Sequence, residues 1–416
     1  VNIIKTFQAL EPEKQRNLLT LLAVGLFFWT SITTLLPTLP AYVEDIGGTA
    51  QQVGLVMGCF AIGLLLSRNW LGTLADKRSR KLVVAIGTFV AGIAPLGYFF
   101  VHSIPPLMAI RAFHGISIAA FTTGYSALVV DLSPVKQRGE LIGYMSLAVP
   151  IGMAIGPALG GFLQYAYGYG YLFLVSAALG WLGLLLTSQV EEERHQTILP
   201  SPDLPDSQRN RSWGELLTSP SLLVPSLVLL LIGLVFGTLA SFLPILIRAI
   251  KLDLNAGLFY TAAAIASFAV RILAGKASDF YGRGLFITVS LVCYTLSMIL
   301  IAFVGTPQGF ILAAILEGSG GGLLIPMMLA LISDRCYAQE RGRVFAFCTT
   351  GFDLGIALAG PGMGFLSTFW GYRGMFVLAA ILSVLSLLLF LSQSNKNLSH
   401  SLRFALGKAK DGYALD

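Results

Sequence analysis

The sequence predicts an all-α membrane protein of twelve transmembrane helices, arranged as two pseudo-symmetric six-helix bundles. Three observations lead there. The 416 residues are 55% hydrophobic and 12% charged, whereas soluble domains carry about 25% charged residues. Apolar runs recur at roughly the twenty-residue length that a helix needs to cross a bilayer with every backbone group satisfied internally. An array, Arg68-x-x-x-Gly72-x-x-x-Asp76, also returns later in the chain as Arg271-x-x-x-Gly275-x-x-x-Asp279. A doubled bundle suits moving a solute more than reacting with one.

The apolar segments fall at 18–41, 51–71, 81–100, 105–130, 141–163 and 168–188 in the first half. The second half gives 221–246, 256–277, 284–304, 308–333, 343–367 and 371–391. The expected units are therefore an N-terminal bundle over 1–188, a linker over 189–219, a C-terminal bundle over 220–391 and a polar tail over 392–416. Prolines and charges make the linker solvated, with a short surface helix expected near Trp213 to Leu217. Val1 to Asn17 is polar and lacks the form of a signal peptide, so the first segment is expected to remain as a helix. Basic residues set the orientation. With the N-terminus inside, the inner loops collect Lys77, Arg78, Arg80, Lys81, Lys136, Arg138, Arg209, Arg211, Arg283, Arg335, Arg341 and Arg343. The outer loops then hold only Arg248, Lys251 and Arg373. Both termini are expected in the cytoplasm of a bacterial inner-membrane protein.

The net charge of +6 does not indicate nucleic acid, because the basic residues sit in short hinges and form no separate basic face. Cys59, Cys293, Cys336 and Cys348 are scattered without metal-ligand spacing. No phosphate-binding loop is present for direct ATP drive.

Steps of four place Arg68, Gly72 and Asp76 on nearly one face at the inner end of the second segment. Gly72 permits close approach, Asp76 can accept from a neighbouring helix N-terminus, and the basic cluster after it can meet anionic lipid headgroups. The second copy offers Gly275, Asp279 and Arg283. A further repeat sets Asp131 seven residues before Arg138 and Asp334 seven before Arg341. These residues either only fix topology or form an inner gate that is made and broken as the halves move. Gly152, Gly156 and Pro157 in the fifth segment, answered by Gly360 and Pro361 in the eleventh, mark bent, closely packed helices suited to moving elements.

These features resemble the major facilitator superfamily. The run Gly72-Thr73-Leu74-Ala75-Asp76-Lys77-Arg78-Ser79-Arg80-Lys81 is similar to its signature loop, with Ser79 where glycine is usual and Gly282 in the second copy. Arg111 with Gly115 resembles the family's fourth-helix motif, whose arginine is linked with proton coupling. The glycine pattern from Gly143 to Gly161 resembles that of the exporter branches. The resemblance implies a six-plus-six fold with a central cavity. The proton-coupled drug and metabolite exporters are the nearest group that it suggests.

Charges inside a membrane are costly and usually face a cavity or a partner. Arg111 lies six residues into its segment, about 9 Å deep at the helical rise, and His114 follows one turn on. Glu317 and Asp353 stand near the middles of the tenth and eleventh segments. These four are the candidates for substrate binding or proton coupling, with packing roles as the alternative for each. Trp29, Thr30, Phe121, Tyr125, Tyr144 and Phe236 are candidate cavity-lining residues. The expected activity is proton-coupled export of a small amphipathic compound by one chain acting alone among membrane lipids. Uptake or exchange of a metabolite, and a non-transporting scaffold or sensor, are the alternatives. A membrane enzyme would need convergent catalytic groups, which the sequence does not show.

Overall fold

The computed structural model describes residue 7 and residues 10–134, 137–192, 219–337 and 340–415, without the side chains of 139, 273–280, 341, 342 and 346. The expected surface helix near Trp213 lies outside the described residues, as does most of the linker. In chain order the helices are α1 Pro12–Thr34, α2 Leu39–Asp45, α3 Ala50–Lys77, α4 Arg80–Phe100, α5 Ile104–Leu132, α6 Arg138–Met145 and α7 Ala148–Gln189. The second half gives α8 Pro220–Ala249, α9 Ala256–Tyr281, α10 Arg283–Phe303, α11 Pro307–Asp334, α12 Arg341–Gln393 and α13 Leu398–Ala405.

The first apolar segment is split into α1 and α2. Pro37 lies in the gap between them and has no amide to donate, and Pro40 starts α2 within its first turn. The long helices α7 and α12 each fold back on themselves at one glycine. Gly168 has φ 81° and Gly371 has φ 65°, a left-handed backbone that glycine adopts without a Cβ clash. Nine helical stretches are long and apolar enough to cross a membrane, and α9 is apolar over Ala256–Ile272. With the two reversals counted, the described residues make twelve crossings, and the chain is a multi-pass membrane protein.

Because the number of crossings is even, the two ends of the chain share one side of the bundle, here the termini end; the other is the far end. Within each half the pairings correspond: α1 packs on α7 as α8 packs on α12, and α3 on α5 as α9 on α11. Lipid tails are as apolar as leucine, so these contacts depend on close packing and hydrogen bonds more than on the hydrophobic effect. A methyl group on Gly115 would lie 1.9 Å from the Phe60 carbonyl, and one on Gly318 would lie 1.8 Å from that of Ala263. Both glycines are therefore required by backbone-to-backbone contact. Gly318 follows Gly115 by 203 residues, the separation of Arg68 from Arg271.

The tail beyond Ser392 is folded through residue 415. Asn397 caps α13, which lies against α10 through a bond from Thr288 Oγ1 to the Ala405 carbonyl at 2.9 Å. Arg335, only 1% exposed, locks this cap. Its guanidinium donates to both carboxylate oxygens of Asp411 at 2.7 and 3.0 Å, and to the carbonyls of Ser221 and Ser394.

Candidate functional site

The two halves meet chiefly along two crossings, α3 with α12 and α7 with α9, with a smaller contact of α2 on α8 at the far end. Toward the far end, the approach is backbone to backbone. A methyl on Gly54 would fall 2.0 Å from the Gly360 carbonyl, and one on Gly257 would fall 2.2 Å from that of Pro157. One turn further in, a methyl on Gly58 would sit 2.8 Å from Pro361 Cδ, and Thr261 Oγ1 donates to the Ala154 carbonyl at 2.9 Å. Gly152 and Gly156 serve contacts within the first half: added methyls would strike Trp29 at 2.5 Å and Thr33 at 2.0 Å.

The termini end is different. Gly72 faces open space, and Asp76 is exposed with no bond among the described residues. Among the described residues, the last charged tie across the seam is Arg68 Nη1 to Asp353 Oδ2 at 2.7 Å, both partly buried. The sequence reads Arg68 as a gate residue and Asp353 as a substrate-binding or proton-coupling candidate; the fold makes them partners. Among the described residues, the halves are thus closed together at the far end, and on α3 no contact to the other half follows Arg68 toward the termini end.

Each half also carries the same charge clamp near the termini end. Arg80 at the start of α4 pairs with Asp131 and donates to the Ala127 carbonyl at 3.1 Å. Arg283 at the start of α10 pairs with Asp334 and donates to the Ala330 carbonyl. Sequence spacing had pointed these aspartates toward Arg138 and Arg341; the described contacts go to Arg80 and Arg283. Arg138 is half-buried at the start of α6. The side chains of Gly275, Asp279 and Arg341 lie outside the described residues. Ser79 stands where the resembling loop has glycine. Its backbone is extended, so a left-handed residue is not needed there, and its side chain caps α4 by accepting from Leu82 N at 2.9 Å. Gly282 at the matching position has φ 88°. Glu192, read from sequence as linker, accepts from the Ser79 hydroxyl and from the amides of Arg80 and Lys81. A carboxylate on the exposed amides of a helix start is a stabilising arrangement.

The buried titratable groups lie within the bundles. Arg111 is 8% exposed, with its guanidinium 4.3 Å from the Phe60 ring centroid and a bond to the Tyr98 hydroxyl. Its Nε has no partner among the described residues. His114 is fully buried; Nδ1 meets the Tyr98 hydroxyl at 3.1 Å, and Nε2 is unpartnered among the described residues. Glu317 is 7% exposed and pairs with no cation among the described residues. Its electrostatic neighbours are the phenols of Tyr260 and Tyr294, and Tyr294 in turn neighbours Arg271. His114 and Glu317 occupy the same position in the two repeats, each one residue before a glycine of the within-half crossing. Neither Tyr98 nor Phe60 was singled out from the sequence, because aromatic residues are common throughout.

Of the aromatic candidates, Phe121 stacks on Phe28 at 3.7 Å and on Tyr125 at 4.9 Å, inside the first half. Tyr125 donates to the Met145 carbonyl, and Tyr144 donates to Glu140. Thr30 is buried beside Gly152. Trp29 and Phe236 are partly exposed, and Phe236 lies 6.0 Å from Phe352. The two best-defined surface grooves, of about 410 and 340 Å³, contain none of the candidate residues. Among the described residues no group of three metal-binding side chains gathers.

Known proteins place this arrangement. A family model described as the Major Facilitator Superfamily matches residues 21–279 and 249–409. The chain is 28% identical to the multidrug resistance protein MdtG of Serratia proteamaculans, covering 84% of this chain and 87% of that protein. It is 31% identical to the quinolone resistance protein NorA of Staphylococcus aureus over 38% of this chain and 40% of NorA. The nucleoside transporter NupG has the same fold, with TM-score 0.74 at 16% identity over 89% of this chain and 98% of NupG. A bacterial homologue of the human lysosomal transporter Spinster, solved inward-facing and unoccupied, gives TM-score 0.70 at 15% identity over 92% of this chain and 97% of that one.

Proposed function

Because this chain belongs to the Major Facilitator Superfamily and is therefore a membrane transporter, we propose that it exports small amphipathic, drug-like compounds in exchange for protons. The observation that carries the coupling is Glu317, a carboxyl buried among tyrosines with no cationic partner among the described residues. An isolated buried carboxylate is expensive, and a carboxyl that can take up a proton avoids that cost. Arg111 and His114 are the matching polar centre of the other half, where a cation held on an aromatic face has no buried anion among the described residues. Export of drug-like compounds is supported by the similarity to MdtG and NorA, whose names record multidrug and quinolone resistance. The termini end is then the cytoplasmic end, as the basic loops require, and the parted halves receive substrate from inside.

The cycle follows from the seam. Substrate enters between Trp29 and Phe236 from the termini end. The halves close there, with Asp76 docking as the gate, and separate at the far end. Proton uptake on Glu317 from outside releases the compound, and proton loss inside resets the protein. The test is flux of a fluorescent lipophilic cation in vesicles of known protein orientation. Dye should move from the termini end to the far end only while the far side is more acid. Unchanged flux after the gradient is collapsed would remove proton coupling, and dye moving in the same direction as the protons would make the protein an uptake system.

A further inference from the structure

The repeat separation of 203 residues holds across the far end, and it places Asp45 opposite Arg248 and Tyr169 opposite Tyr372 as copies of one another. All four meet. Arg248, at the end of α8, donates Nη1 to Asp45 Oδ1 at 2.9 Å and Nη2 to the Tyr169 hydroxyl at 3.1 Å, and lies 3.9 Å from Glu44. Tyr169 donates to the second oxygen of Asp45. Tyr372 donates to Glu44. Tyr169 and Tyr372 each follow the glycine at which its long helix reverses, so their position is set by the turns at Gly168 and Gly371.

Equivalent positions of two repeats can touch only near the axis that relates them, as in a two-fold interface. Two identical charges there would repel; this chain carries opposite charges at the one repeated position. We infer that Asp45 and Arg248, supported by Tyr169, Tyr372 and Glu44, form the latch that holds the far end closed and must break for the protein to open outward. This rests on the transport cycle proposed above but not on its substrate or its coupling ion. The arginine is the only member of the cluster that is cationic, so its removal leaves Asp45 and Glu44 adjacent and mutually repelling. The pair is partly exposed, and a link of this strength biases two states without freezing either.

The experiment measures distances between spin labels at Ser103→Cys and Gln308→Cys, exposed positions at the far ends of the two halves, in protein whose four native cysteines are replaced by serine. Arg248→Ala should raise the fraction of long distances by at least about threefold. Asp45→Arg combined with Arg248→Asp should return the distribution toward that of the starting protein. Lys251→Gln, which alters a neighbouring exposed cation, should leave it unchanged. A distribution unmoved by Arg248→Ala, or moved as far by Lys251→Gln, would overturn the latch. No substrate is needed, so a failed latch and a failed drug-export reading give different results.

Discussion

Glu317 and His114 show how one repeated position can hold two kinds of titratable group. Both precede a glycine that presses on a neighbouring helix, so both are held where the packing is tightest. One is an imidazole bound to Tyr98; the other is a carboxyl among tyrosines. If Glu317 carries the proton, Glu317→Gln keeps its size and removes its titration. Gradient-driven efflux should fall at least about tenfold, while downhill exchange of dye persists. Vesicle flux measured with and without the gradient separates the two. Both residues were legible as intramembrane titratable groups, but their partners were not. Tyr98 and Tyr294 lie on neighbouring helices, and no sequence spacing reports which aromatic residue a helix will meet.

At the scale of elements, the clamps explain why Arg80 and Arg283 sit at helix starts. Each reaches across to the end of a neighbouring helix, taking an aspartate and a backbone carbonyl together. The sequence showed the charges and their repetition. It could not show the choice between Arg80 and Arg138 as partner for Asp131, because that depends on how α4 and α5 pack. The tail is a second case. Its composition reads as polar, yet Arg335 is buried with Asp411 and two helix-end carbonyls, uniting the ends of α8, α11 and α12. Removing one partner of a buried ion pair costs about 3 kcal/mol or more. Asp411→Ala should therefore lower the midpoint of thermal unfolding in detergent by several degrees. A midpoint equal to that of the parent protein would show that the cap adds nothing to stability.

For the whole molecule, a single repeat separation relates the seam contacts, the clamps, the reversals and the far-end cluster. The twelve crossings and the doubled bundle were legible because lipid demands long apolar helices and because the duplication left paired glycines and charges. The state of the molecule was not legible: nothing in the sequence says which end is shut. The structure shows Asp76 exposed at the termini end and the glycine crossings closed at the other. On the proposed cycle, Asp76 gains its contact in the opposite state. Asp76→Asn should slow turnover several-fold while leaving equilibrium binding of the dye within about twofold. Weakened binding at unchanged turnover would remove Asp76 from the gate.

Exchange of access between the two ends can be tested with a reversible cross-link between Asp45→Cys and Arg248→Cys, where the side chains of the halves already touch. A short bis-methanethiosulfonate, which forms a reducible disulfide with each cysteine, should stop dye movement when the link is formed, and reduction should restore it. Undiminished movement through the cross-linked protein would mean that the far end need not part, and that these halves do not work by taking turns.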